Sequence, residues 1–339
     1  MFKKFTGPGM FRLFLALAVF FHHISRLAIG TAAVYIFFSL SGYWIFKMYT
    51  GRYSATKQRY FTYMVSRAWR LLPVFLLINL GMLGYMLFRG TLSHYWAGTN
   101  HVHFILSNFL ILGYSSLHFQ PIVPAWSLDV EIEFYFIAPI LILLFTQLKS
   151  PGLWILVAGS ISLIAALLRN PVPLLHYIVF FVAGMAAASA NWRPSGKLGI
   201  ASIGVTAFLI AACLASPWRG LLLIGRHAGP LAAYSVETNV ILALLMIPYA
   251  MYTTSQRGFG ADGMFGDLSY VIYLLHWPAV LWVGQHADGF EHKLPYSAMA
   301  LVMVLIVSFG ISRFYDHPIN SMRARWVNSR KRTPALVEM

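Results

Sequence analysis

RLFLALAVFFHH, residues 12–23, is an apolar run with an arginine at its first position and histidines at its last two. Charged and titratable side chains are costly inside a lipid bilayer, and they usually face the interior of a helix bundle. The whole chain is similarly apolar: of its 339 residues 59% are hydrophobic and 10% are charged, whereas ordinary soluble domains carry about 25% charged residues. The sequence therefore predicts an all-α polytopic membrane protein.

Ten apolar segments approach the length of about 20 residues that crosses a bilayer core. These predicted spans are 10–28, 31–48, 70–88, 127–146, 152–168, 173–190, 198–214, 232–253, 267–285 and 295–313. The apolar stretch at 104–114 is too short to span and is interpreted as re-entrant or interfacial. Because no soluble domain is visible, residues 1–320 are predicted to form one transmembrane domain and residues 321–339 a short basic cytoplasmic tail.

Basic residues predict how the spans are oriented. The chain has 25 Lys and Arg residues against 10 acidic ones, and most of them fall in loops on the side of the two termini. Lys and Arg accumulate in cytoplasmic loops, so both termini are predicted to be cytoplasmic. The same rule explains the net charge of +15 without a nucleic-acid partner. Cys213 is the single cysteine, so no intrachain disulfide can form.

Arg12 and His23 are eleven residues apart in the first span. At about 100° per residue they share one helix face, separated by a rise of about 16 Å, whereas His22 lies roughly 80° away from that face. A functional pair on this face is one interpretation. The other is that Arg12 reaches the lipid headgroups and that the histidines lie at the outer interface.

The stretch VSRAWRLLPVF, residues 65–75, places Arg67 and Arg70 together where the third span begins, with Pro73 at an early helical position. Arginines three apart are neighbours on a helix surface, and two planar guanidinium groups are good ligands for phosphates. An anchor that only sets membrane topology is the alternative.

The stretch PAWSLDVEIEFYFIAP, residues 124–139, concentrates Asp129, Glu131 and Glu133 at the outer start of an apolar span. At helical spacing Asp129 and Glu133 share a face, while Glu131 is aligned with Tyr135. These acids could simply complement the helix dipole. Their concentration at one site, in a chain with ten acids, favours a functional role.

Histidines elsewhere in the chain are weaker candidates. In GDLSYVIYLLHWPAV, residues 266–280, His276 is predicted near the middle of the membrane. A lone buried histidine is usually a packing residue, although its depth raises the chance of a function. His94, His101 and His103 lie in a predicted outer loop, but their spacing matches no standard zinc site, so no metal is predicted.

The first two of these motifs resemble acyltransferase family 3, the bacterial membrane O-acyltransferases that modify cell-surface carbohydrates. The family's first-span pattern of an arginine, ten residues and a histidine is matched by Arg12 and His23. Its paired-arginine motif is matched by Arg67 and Arg70 followed by Pro73, and FFSLSGYWI (37–45) is similar to its second-span signature.

The later motifs resemble the same family in the same order, so the similarity runs from about residue 10 to 320. WSLDVEIEFYFIAP is similar to its Trp-Ser-Leu…Glu…Phe-Tyr motif, with Glu131 at the glutamate. LSYVIYLLHWP is similar to the motif near the end, and YDHPI (315–319) to a closing Glu-x-Pro, with Asp316 as the acid. The matched motifs add as candidates Ser41, Trp126, Ser127, Tyr135, Ser269, Tyr273 and His276.

Two features distinguish this chain within the resemblance. It reads GMFR at residues 9–12, where many members read Asp-Gly-Leu-Arg. It is similar to members without the hydrolase-like domain that some carry at the C-terminus.

The resemblance implies transfer of an acyl group, usually acetyl, from cytoplasmic acyl-CoA to a sugar hydroxyl. No permanently bound cofactor or metal is then needed. Arg67 and Arg70, with Arg12, are expected to bind the CoA phosphates. His23 is expected to act as base on the hydroxyl or to carry the acyl group, because imidazole titrates near neutral pH. Glu131 is expected to hold the imidazole tautomer, as a carboxylate does in a catalytic triad.

A transporter or flippase of lipid-linked sugars is the alternative function. It would also have many spans, but transporters often contain internal repeats, and none is visible here. A structural scaffold does not explain Arg12, His23 and Glu131 together. The expected location is the bacterial inner membrane, and the expected partners are acyl-CoA, membrane lipid and a saccharide at the outer face. The saccharide, the acyl group, a direct or relayed transfer and the oligomeric state stay open.

Overall fold

The computed structural model describes residues 7–96, 100–148, 150–225, 228–256, 258, 260–287 and 290–332, without the side chains of residues 94–95 and 290–292. Across these residues the chain is all-helical, with two isolated bridges and no strand. The helices are α1 (Pro8–Ile24), α2 (Gly30–Thr50), α3 (Arg59–Phe88), α4 (Leu92–Trp96), α5 (His101–Leu110), α6 (Trp126–Leu148), α7 (Pro151–Leu167), α8 (Pro173–Ser189), α9 (Gly196–Leu214), α10 (Ser235–Thr254), α11 (Asp262–His286), α12 (Phe290–Ile311) and α13 (His317–Ser329).

Each of the ten apolar segments overlaps one helix, but the helices differ in their ability to cross a membrane. Among the described residues, five are long and apolar enough: Arg59–Phe88, Gly196–Leu214, Pro230–Thr254, Asp262–His286 and Lys293–Ser329. Three more are apolar but shorter: Pro8–Ile24, Pro151–Leu167 and Pro173–Ser189. Ten spans and cytoplasmic termini therefore stay predictions. The stretch at 104–114 contains the end of α5, which at about 1.5 Å per residue is too short to cross.

Helix α1 begins beside the start of α11, and the two helices run in parallel. Pro8 occupies the first turn of α1, where its missing N–H is not needed. The carboxylate of Asp262 accepts hydrogen bonds from the backbone N–H groups of Gly9 and Met10, both at 3.0 Å. A Cβ at Gly9 would lie 1.8 Å from the backbone oxygen of Asp262, so this close approach requires glycine. The contact fixes which face of α1 is turned toward α11.

Helices α2 and α8 also approach at glycines. A Cβ at Gly184 would lie 1.8 Å from the backbone oxygen of Ser39, and one at Gly42 would lie 2.0 Å from that of Phe181. Small residues let membrane helices pack at short range. This packing holds α2, which contributes the wall of the cavity described below, against the rest of the bundle.

We expect Gly184→Ala to destabilise the protein by about 1–3 kcal/mol, because the added methyl group overpacks the α2–α8 contact. The thermal unfolding midpoint of the purified protein in detergent should fall. Gly204→Ala in α9 is the control, because a Cβ there has no atom within 4 Å among the described residues. A Gly184→Ala variant as stable as Gly204→Ala would contradict the close contact.

The C-terminal part of the described chain is helical and packs on the bundle. After a π-helical turn (Ser312–Asp316), α13 packs on α3, with Val327 buried and the ring of Trp326 5.9 Å from that of Trp69. The backbone N–H of Lys57 donates to the oxygen of Arg330 at 2.8 Å. Residues 321–329, which the sequence assigned to a tail, therefore belong to a helix attached to the bundle.

Candidate functional site

A cavity of about 330 Å³ lies between α1, α2, α3, α6 and α11, and α13 adds one side chain to its wall. We call the side of Arg67, Arg70 and Arg323 its arginine end, and the side of Ser127, Ser269 and Tyr273 its serine end. The structure brings nine predicted site residues together around it: Arg12, Ser41, Arg67, Arg70, Ser127, Glu131, Tyr135, Ser269 and Tyr273.

The charge of Arg70 is balanced inside the protein. Its Nη1 lies 3.3 and 3.0 Å from the two carboxylate oxygens of Asp316, and its Nη2 donates to Oδ1 of Asp267 at 2.9 Å. Asp316 is almost fully buried. Because a buried ion pair is costly to break, Arg70 ties α3 to α11 and to the π-helical turn. The sequence grouped Arg70 with Arg67, but the structure gives Arg70 two carboxylate partners.

Arg67 and Arg323 are held by hydroxyl groups. Nη2 of Arg67 donates to the hydroxyl of Tyr53 at 2.9 Å, and Tyr53 donates to Oγ of Ser66 at 2.8 Å. Nη1 of Arg323 donates to the same Ser66 oxygen at 3.2 Å. In the described part of the chain, no carboxylate lies within 4 Å of Arg12, Arg67 or Arg323. The arginine end therefore carries uncompensated positive charge.

This positive charge acts on Tyr53, which lies in the segment between α2 and α3. Burial is the largest single effect and opposes ionisation of the phenol, but the charges of Arg67 and Arg323 and the hydrogen bonds with Ser66 and Arg67 together outweigh it. They hold the pKa of Tyr53 below its usual value.

Glu131 lies on the cavity wall between the two ends. Its Oε1 accepts hydrogen bonds from Oγ of Ser41 at 2.7 Å and from the hydroxyl of Tyr135 at 2.5 Å. The predicted alignment of Glu131 with Tyr135 along the helix is thus confirmed. Lys and Arg side chains of the described residues stay more than 4 Å from its carboxylate, so its Oε1 is held by neutral donors.

The two neighbouring acids, Asp129 and Glu133, bind backbone N–H groups of other segments. Asp129 is buried and accepts hydrogen bonds from the backbone N–H groups of Gly113 and Ser115, at 2.9 and 2.8 Å. Glu133 accepts from the backbone N–H of Leu174 at 2.9 Å and so caps the start of α8. Of the three clustered carboxylates, only Glu131 lines the cavity.

The histidines lie beyond the serine end. The hydroxyl of Tyr273 lies 2.7 Å from Oγ of Ser127. The fully buried His276 follows on α11, its ring 6.1 Å from that of Tyr273. His23 stacks on His276 at 5.3 Å and contacts the edge of Trp277. Arg12 lines the cavity, and α1 runs unbroken from Pro8 to Ile24, so Arg12 and His23 share a helix face as predicted.

The predicted hydrogen bond between Glu131 and His23 does not form among the described side chains. Ser41 and Tyr135 bond to Oε1 of Glu131 instead, and the ring of His23 is stacked on that of His276. An orienting role for Glu131 toward His23, as in a triad, therefore has no support in this geometry.

Three predicted candidates lie outside the cavity wall: His23, Trp126 and His276. Trp126 packs on the rings of Phe38 and Tyr177 at 6.2 and 5.3 Å. Of the loop histidines, His103 contacts the backbone oxygen of Gly113 at 2.9 Å through Nε2, and the side chain of His94 lies outside the described residues.

A family model described as an acyltransferase domain matches residues 7–313. The chain belongs to acyltransferase family 3. An uncharacterized protein from Aquifex aeolicus (strain VF5) is 27% identical over 212 residues, which cover 60% of this chain and 89% of the relative. No solved structure matches the chain. The protein is therefore a membrane acyltransferase, in agreement with the resemblance that its motifs carry.

Two charged cavity residues of this family 3 acyltransferase, Asp267 and Arg323, were missed by the sequence predictions. Asp267 gave a weak signal, as an acid at the first position of a predicted span. Arg323 gave none, because it lies in the basic segment after the last predicted span, two residues before Arg325. Only the packing of α13 on α3 brings Arg323 to the cavity.

Proposed function

We propose that the protein is an integral-membrane O-acyltransferase that moves an acyl group, in the first place acetyl, from cytoplasmic acyl-CoA to a hydroxyl of a cell-surface or lipid-linked saccharide. The observation that carries this proposal is that one cavity joins a cationic arginine end to Glu131 and the serine end. Family membership supports the acyl-transfer chemistry.

The arginine end suits the phosphates of the donor. Guanidinium groups bind phosphate through charge-assisted hydrogen bonds, and Arg67 is buried, oriented by Tyr53 and without a carboxylate partner among the described residues. The pantetheine arm then extends past Arg12 and Glu131 toward the serine end. Its reach is comparable to the rise of about 16 Å between Arg12 and His23 along α1.

Transfer takes place where the thioester meets the acceptor. The acceptor hydroxyl oxygen bonds to the thioester carbonyl carbon, and the bond between that carbon and the CoA sulfur breaks. His23 accepts the hydroxyl proton and returns it to the departing sulfur, a general acid–base role that suits imidazole. In a two-step variant, His23 carries the acyl group between donor and acceptor.

In this function the arginine end faces the cytoplasm and His23 lies near the outer face of the bacterial inner membrane. In a Cys213→Ala background, a cysteine at the exposed Ser54, between α2 and α3, should resist a membrane-impermeant thiol reagent in intact cells. A cysteine at the exposed Ser93, in α4, should react. The basic loops predict this pattern, and the reverse pattern would overturn transfer across the membrane.

The reaction is tested with acetyl-CoA labelled in its acetyl group, added to inside-out membrane vesicles with and without the protein. Mass analysis of the recovered glycans should find the label, as added acetyl groups, only when the protein is present. Glycans that stay free of label in both preparations, although the purified protein binds acetyl-CoA, would contradict saccharide acetylation.

A further inference from the structure

Helix α13 is attached to the bundle at several points close to the arginine end. Nη2 of Arg52 donates to the backbone oxygen of Ala324 at 3.3 Å. Asn320 donates to Oδ1 of Asp316 at 2.8 Å, and the carboxylate of Asp316 pairs with Arg70 of α3. Nε of Arg323 donates to Oδ1 of Asn320 at 3.2 Å. The backbone of α13 and the side chain of Arg323 are thus both held in place, so Arg323 is a built part of the cavity wall.

The arginines of the arginine end differ in whether a carboxylate of the protein already balances their charge. Arg70 has carboxylate oxygens of Asp267 and Asp316 within 3.0 Å. Arg67 and Arg323, by contrast, share the hydroxyl pair of Tyr53 and Ser66, which are neutral partners. Arg323 is repelled by both Arg67 and Arg70. Two like charges held together beside a cavity favour an anion between them.

We infer that Arg323 and Arg67 together form the phosphate-binding end of the cavity and bind the phosphate groups of the acyl donor. The inference rests on the proposed function and identifies the residues that recognise the donor. Arg323 lies beyond residue 313, where the match to the family model ends, so the family domain alone does not contain the complete site. Arg70, paired with Asp267 and Asp316, positions the helices around this phosphate-binding end.

The test compares two donors on two variants of the full chain, purified in dodecyl maltoside, which carries no phosphate. Acetyl-CoA has phosphates and S-acetylpantetheine has none, and the affinity of each is measured by calorimetry or by displacement of labelled acetyl-CoA. Arg323→Gln removes the proposed contact. Arg325→Gln removes the same charge from an exposed position two residues along the same helix and is the matched control.

Arg323→Gln should weaken acetyl-CoA binding by about 10- to 100-fold, the range for hydrogen bonds to a charged group, and leave S-acetylpantetheine binding unchanged. Arg325→Gln should change neither affinity. Comparing the donors isolates the phosphate contact from a general loss of folding, which would weaken both equally.

Two results would overturn the inference, and they are distinguishable. Suppose that wild-type protein binds acetyl-CoA. If Arg323→Gln then binds acetyl-CoA equally well, or loses affinity for acetyl-CoA and S-acetylpantetheine to the same degree, Arg323 does not bind phosphate and the proposed function stands. If wild-type protein binds no acyl-CoA, the proposed function fails, and this inference fails with it.

Discussion

Glu131→Gln should lower the rate of acyl transfer about 100-fold, the size of effect expected when one electrostatic stabiliser of a transition state is removed, while acetyl-CoA binding stays unchanged. The substitution keeps the shape of the side chain and an oxygen that Ser41 and Tyr135 can contact. It removes the negative charge and the basic oxygen from the middle of the cavity. Because the arginine end lies elsewhere on the wall, the donor phosphates should bind as before.

Glu133→Gln is the matched control for this prediction. It lies two residues further along α6 and faces away from the cavity, where it accepts a hydrogen bond from the backbone of Leu174. A glutamine oxygen can still accept that bond, so activity should be unchanged. The initial rate of acyl transfer and the affinity for acetyl-CoA are measured for Glu131→Gln and for Glu133→Gln. An active Glu131→Gln variant would remove Glu131 from the reaction, whatever the behaviour of Glu133→Gln.

The helices themselves could be predicted because their signal is local. Each apolar segment is bounded by charges or by glycine and proline, and the ten segments coincide with ten helices. Contacts at one-turn spacing were equally accessible: Glu131 and Tyr135 are four residues apart on one helix and form the predicted pair. Such pairs follow from helix geometry alone.

Long-range pairing could not be predicted in the same way. Arg67 and Arg70 look equivalent as a pattern, and only the packing of α11 and the π-helical turn gives Arg70 its partners Asp267 and Asp316. Residues 70 and 316 are far apart in sequence, so no periodicity connects them. The role of Arg323 was inaccessible for the same reason, because it depends on how α13 packs on α3.

The predicted contact between Glu131 and His23 was wrong because the two side chains lie at different depths along the helix bundle. Both residues were assigned to the outer side, one from the end of α1 and the other from the start of α6. In the structure Glu131 lies one helical turn beyond Ser127, and Ser127 pairs with Tyr273. His23 lies past that pair, against His276. Approximate span boundaries do not resolve a difference of one turn, or about 5.4 Å.

His23→Ala should lower acyl transfer at least about 100-fold, whereas His22→Ala should leave the rate close to that of the wild type. The two histidines contact different helices, although their rings lie 4.8 Å apart. His23 stacks on His276 of α11, close to the serine end of the cavity. His22 lies against the first turn of α2. A Cβ added at Gly30 would lie 2.5 Å from the Cβ of His22.

The two alanine variants are each other's control, because they remove the same side chain from adjacent positions of one helix. Both are compared by initial rate, by acetyl-CoA affinity and by thermal unfolding midpoint. Affinity should survive in both, since the arginine end, the proposed site of the donor phosphates, is separated from the histidines by the serine end of the cavity. A slow His23→Ala variant with wild-type affinity and stability would place the defect in the transfer step itself. An inactive His22→Ala variant beside an active His23→Ala variant would show that the catalytic imidazole faces α2, and the orientation of α1 against α11 would have to be rejected with it.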